Sequence, residues 1–195
     1  MNKAFKKLLF AALGALGVAA NQATLADQAT CTGAGCTTAN LPVNFSITIP
    51  AFLRLQVGAV GLTPSVSWNT AVTAANIGTG VVNADASTNG GAGVGQVAYA
   101  LVSNISTNNA TVTATGTAAA FISGANSIPY TDVGATVTPT TGTGVALPVP
   151  GSPTTVTPTS GIINEAGIWT YTYANNTIYP SGTYTGTINY TATQP

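Results

Sequence analysis

The 195-residue chain has no histidine, and charged side chains make up only 4% of it. Three of its four cations, Lys3, Lys6 and Lys7, sit in the first seven residues, which leaves Arg54 alone in the remainder. The acids Asp27, Asp85, Asp132 and Glu165 are scattered singly. Catalysis near neutral pH rests on groups that exchange protons, with histidine the commonest. A serine nucleophile would find neither histidine nor lysine beyond residue 7 to act as its base. A paired-carboxylate hydrolase would have to gather two of four isolated acids. Clustered cations, the footprint of nucleic-acid and anionic-membrane binding, are missing too. These absences point away from an enzyme and from a nucleic-acid partner, toward a structural or binding protein.

No cofactor is implied either. Calcium at Asp85 or Asp132 would lack most of the roughly 6–8 oxygen ligands it prefers. Cys31 and Cys36, the only cysteines, cannot complete a zinc shell without histidine or further thiols. The Gly-rich run Asn89–Gly95 lacks the lysine and the following helix of a phosphate-binding loop.

What is present begins with a leader-like pattern. Met1–Lys7 is basic, Leu8–Ala20 is apolar and Asn21–Ala26 is polar. That order predicts a secretory signal peptide over residues 1–26, cleaved after Ala26 or after Ala20. The apolar stretch falls short of the roughly 20 residues a spanning helix needs, and no second one follows, so no membrane span is expected. An oxidising compartment would join Cys31 and Cys36 in a short disulfide loop. The expected organisation is a leader at 1–26, an N-terminal segment at 27–42 carrying that loop, and one β-domain at 43–195.

Helix signals are nearly absent after the leader, because Thr, Val, Gly and Asn are poor helix formers and no i, i+3, i+4 pattern occurs. Alternation with period two is common. Val43, Phe45, Ile47 and Ile49 oppose Asn44, Ser46 and Thr48, and after Pro50 the alternation resumes at Leu53, Leu55 and Val57. Weaker strands are expected at Ser65–Trp68, Gly95–Ser103, Ala110–Thr115, Ala119–Ile122 and Ala135–Pro139. The Pro-rich run Val145–Thr159 reads as a connector. Near the C-terminus Trp169, Tyr171 and Tyr173 alternate with Thr, Asn175–Gly182 makes a reversal, and Thr183–Thr193 forms a closing strand. The fold class is therefore all-β, a single Ig-like antiparallel sandwich.

The closing segment Tyr179–Thr193 (YPSGTYTGTINYTAT) resembles the last strand of fimbrial subunits, in particular the spore-coat-U-type pilins of archaic chaperone–usher systems. Gly182 and Tyr184 fall at matching positions, and Thr187, Ile188 and Tyr190 continue the alternation. The resemblance implies a pilin-like sandwich that polymerises by lending a strand to its neighbour, with other surface subunits or a periplasmic chaperone as further partners. Val43, Phe45, Ile47 and Ile49 form the segment suited to that exchange. The alternative is a monomeric surface adhesin or glycan-binding module, for which Trp68, Tyr130 and Tyr179 are the candidate contact rings.

Overall fold

A computed structural model describes residues 29–38, 40–105 and 107–195. The expected signal peptide lies outside the described residues. The chain divides into two units, Met1–Ile49 and Pro50–Pro195. In the first, Cys31 and Cys36 are disulfide-bonded with their Cα atoms 6.0 Å apart. Val43–Ile49 belongs to no strand, and Val43, Phe45, Ile47 and Ile49 are 71%, 87%, 86% and 75% exposed. The alternation expected to form a strand there is present in sequence only; a strand also needs a partner edge.

The second unit is built from antiparallel strands, with a single 3-10 turn at Tyr130–Asp132. One sheet contains β1 (Leu53–Val57), β3 (Val82–Asn83), β5 (Gln96–Ser103), β9 (Val133–Thr141) and β11 (Ile163–Tyr173). The long strand β11 is its spine. Ile163–Thr170 pairs with β5, Thr172–Tyr173 pairs with β3, and β9 runs along the other side. β1 pairs with β5 and forms one edge of the sheet. Pro139 sits on β9, where no second neighbour requires its missing N–H, and the register shifts beside it. The facing sheet has the order β10 (Thr154–Val156), β6 (Ala110–Gly116), β12 (Ile188–Thr193). Two small ribbons complete the unit: β2 (Ser65–Ser67) with β4 (Ala86–Thr88), and β7 (Phe121–Ser123) with β8 (Asn126–Ile128).

Period-two patterning places the core between these sheets. Val97, Tyr99 and Leu101 of β5, Ile163, Trp169 and Tyr171 of β11, and Ala110 and Val112 of β6 are buried in one cluster. Trp169 is fully buried and stacks on Tyr99, with ring centroids 4.5 Å apart, while Tyr190 of β12 meets it at 5.5 Å. The polar ends of this aromatic stack are satisfied by a single residue. Trp169 Nε1 donates to the Val145 carbonyl at 2.8 Å, and the Val145 N–H donates to the Tyr99 hydroxyl at 2.8 Å. Truncating such a tryptophan costs about 3–5 kcal/mol, more if its buried partners are orphaned. The Pro-rich run is thus more than a connector: Val145, Pro148 and Val156 are buried, and β10 lies within it.

Candidate functional site

β12 is the element that defines the site. On one side it pairs with β6 from Ile188↔Gly116 to Thr193↔Thr111, and no strand pairs with its other side among the described residues. Alternation turns Tyr190 and Ala192 inward and leaves Asn189, Thr191 and Thr193 exposed. Its far end is tied down. Ser103 Oγ donates to Gln194 Oε1, and Gln194 Nε2 donates to the carbonyls of Ile105 and Asn108. The strand is thus fixed in place, while its free edge keeps an unspent row of main-chain donors and acceptors.

Alongside that edge runs a groove of about 680 Å³. Leu55 and Val57 of β1, Val66 of β2, and Ile188, Tyr190 and Ala192 of β12 line it. Tyr171 lies at its floor with its hydroxyl 3.4 Å from that of Tyr190. Burial pushes the pKa of both phenols up, so both remain protonated well into the alkaline range. Among the described residues no charged side chain lines the groove. Its chemistry suits a neutral, apolar, extended segment that also offers main-chain hydrogen bonds.

The closing-strand residues divide at Gly186. Ile188 and Tyr190 line the groove, whereas Gly182 and Tyr184 line a second cleft just before β12 begins. Gly186 itself touches both, and only a hydrogen fits there. A Cβ would stand 2.9 Å from Phe121 Cδ1 and 2.9 Å from the Tyr130 hydroxyl. Gly116 offers the same Tyr130 ring its other bare flank.

The three rings expected to be available to a ligand are therefore separated. Trp68 and Tyr179 are half-buried and line the second cleft. Tyr130 is not available, being 4% exposed and packed edge-on to Phe121 at 4.5 Å. Gly116 and Gly186 make a slot that takes the ring inside.

The three acids among the described residues are spent on local structure. Asp85 accepts hydrogen bonds from the N–H groups of Asn69, Thr70 and Ala71 and from the Thr70 hydroxyl. That hydroxyl, together with the three N–H groups, holds its carboxyl below the usual range. Asp132 accepts the Tyr179 hydroxyl at 2.9 Å, and Glu165 accepts the Gly144 N–H at 2.7 Å. Among the described residues no three metal-ligating side chains come together.

Several groove residues escaped the sequence reading. Leu55 and Val57 were legible as one face of a strand, but nothing local told that this face would border the last strand of the other sheet. Among the described residues, no helix is long and apolar enough to cross a membrane. No protein-family model, no curated protein and no solved structure matches this chain.

Proposed function

We propose that this chain is a secreted structural subunit, not an enzyme, which assembles into a pilus-like or extracellular matrix fibre by strand addition. Val43–Ile49 of one copy enters the groove of the next and pairs with the free edge of β12. The observation that carries this reading is a complementary pair: an alternating apolar segment outside every strand, and an apolar groove beside an unpaired strand edge.

Dimensions and chemistry agree. Seven extended residues span about 23 Å and the six of β12 about 20 Å. Val43, Phe45, Ile47 and Ile49 would face the groove, and Asn44, Ser46 and Thr48 would face solvent. Burying four such side chains is worth about 6–12 kcal/mol gross, from which the cost of ordering the segment is subtracted. Main-chain hydrogen bonds to β12 would add directionality. Soluble monomers normally blunt an open strand edge with charge, and β12 carries none. The leader pattern and the Cys31–Cys36 bridge support export to an oxidising compartment, with the cell surface as destination. A periplasmic chaperone would serve such a subunit by covering the same edge before assembly.

Light scattering behind size-exclusion chromatography, with negative-stain microscopy of the secreted protein, tests the reading. Regular multiples and thin filaments are expected, and a synthetic peptide covering Leu41–Ala51 should suppress them. A strictly monomeric protein at all concentrations, with no affinity for that peptide, would overturn it and leave a monomeric surface module.

A further inference from the structure

The cleft on the other side of Gly186 has a different character from the groove. Its volume is about 510 Å³, within the roughly 300–1,000 Å³ of small-molecule sites. Besides Phe121, four aromatic residues line it: Trp68, Tyr173, Tyr179 and Tyr184. They form two tilted pairs, Trp68 with Tyr173 and Tyr179 with Tyr184, each with ring centroids 6.3 Å apart. All four are half-buried, so packing fixes the rings while each keeps some surface toward solvent.

The polar groups around these rings are neutral and largely uncommitted. Asn69 and Thr183 line the cleft and are exposed. Residues Asn176–Tyr184 make no main-chain to main-chain hydrogen bond, so apart from Pro180, which has no N–H and whose carbonyl accepts from the Tyr184 hydroxyl, their main-chain groups remain available. Trp68 Nε1 is withdrawn from solvent and has no acceptor among the described residues. Two carboxylates border it and both are engaged: Asp132 by the Tyr179 hydroxyl, and Asp85 by the N–H of Asn69 and its neighbours. Among the described residues no cation lines the cleft.

We propose that this cleft binds a short, uncharged saccharide. A pyranose ring has an apolar C–H face that suits an aromatic wall and a girdle of hydroxyls that donate and accept at once. Fixed tilted rings supply the first kind of contact; Asn69, Thr183 and the unspent main chain supply the second. Sialylated or sulfated sugars would bring a charge into a half-buried site with no cation to meet it, so selectivity for neutral glycans follows. The inference stands apart from the assembly reading, since it uses no strand exchange. Were a fibre to form, it would display the cleft once per subunit and turn weak single-site binding into avidity.

Saturation-transfer NMR and calorimetry on the full secreted chain decide the matter. The probes are neutral trisaccharides of glucose, mannose and N-acetylglucosamine, with sialylated and sulfated counterparts beside them. At least one neutral probe should bind and the anionic ones should not. Tyr184→Ala should weaken binding ten-fold or more with little change in melting temperature, and Tyr184→Phe should restore it. Ile47→Asp should leave sugar binding unchanged, which separates this site from assembly. The proposal is overturned if no neutral probe binds, if anionic probes bind equally, or if Tyr184→Ala leaves binding unchanged. Displacement of the sugar by the Leu41–Ala51 peptide would also overturn it, by showing that the cleft is a continuation of the strand groove.

Discussion

Ile47→Asp separates the assembly reading from its rivals, because its consequences for the single chain and for the assembly differ in size. In the single chain Ile47 is 86% exposed, so replacing it should move the melting temperature by no more than a degree or two. In the groove of a neighbouring copy the same side chain would be covered. Losing its apolar transfer costs about 1.5–3 kcal/mol. Pressing a carboxylate against Tyr190, Ala192 and Leu55, where no cation lines the groove, costs a further few kcal/mol even after the group relaxes by taking up a proton. The sum is about 4–6 kcal/mol per interface, a roughly 1,000- to 10,000-fold weaker association. Asn44→Asp is the matched control: it adds the same charge to the face that stays in solvent and should leave assembly within a few-fold of wild type. The assay is light scattering across a concentration series, with differential scanning calorimetry on the same samples. Equal assembly of the Ile47 and Asn44 variants would refute the reasoning. So would a large fall in melting temperature for Ile47→Asp, since the residue would then be part of its own chain's core.

The remaining predictions concern the sandwich itself. With no histidine, melting temperature should be nearly flat between about pH 5.5 and 9. Tyr171 and Tyr190 have their folded-state pKa raised by burial, so the stability they contribute is intact below pH 10 and lost as the pH climbs beyond it; Tyr171→Phe should soften that alkaline decline. Asp85 has the opposite sign. Its pKa is lowered below 3.8, so its contribution is present above that pH and disappears in stronger acid, which hydrogen exchange at Asn69–Ala71 should report. Gly186→Ala should destabilise by about 1–3 kcal/mol in urea titration, because Phe121 and the Tyr130 hydroxyl already occupy the space. Replacing both Cys31 and Cys36 by Ser should cost about 1–2 kcal/mol at most, because the closed loop is small; loss of folding in the melting curve would contradict this.

The all-β class was legible from period-two alternation, and β5, β6 and the aromatic half of β11 fall where that alternation lies. The first half of β11 was not legible, since Glu165 and Gly167 occupy inward positions where an apolar residue would signal a strand. Glu165 is tolerated there through its bond from Gly144, a partner some twenty residues away. β3 and β10 are two or three residues long and sit among Gly, Asn and Pro, so they exist because a longer strand, β11 or β6, offers them an edge. Val43–Ile49 teaches the converse: its alternation is as regular as that of β5, yet it lies outside every strand. Alternation records a capacity to pair, and the partner edge is decided elsewhere in the chain. The groove and the cleft share this dependence, because each draws its walls from segments more than a hundred residues apart.

The tie between β6 and β12 also sets a clock. β6 ends at Gly116 and its partner does not begin until Ile188, with Gln194 reaching back to Ile105 and Asn108. While the polypeptide is being synthesised, the three-stranded sheet cannot close until residues near 193 have emerged. Contacts this distant along the chain are slow to form, because a long loop must be closed before any of them is gained. The step that completes β12 is the same step that creates the free edge. Were the chain exported and assembled as proposed, it would stay loose while it passed through a narrow opening, and no vacant acceptor would be available to a neighbour before the subunit bearing it had arrived.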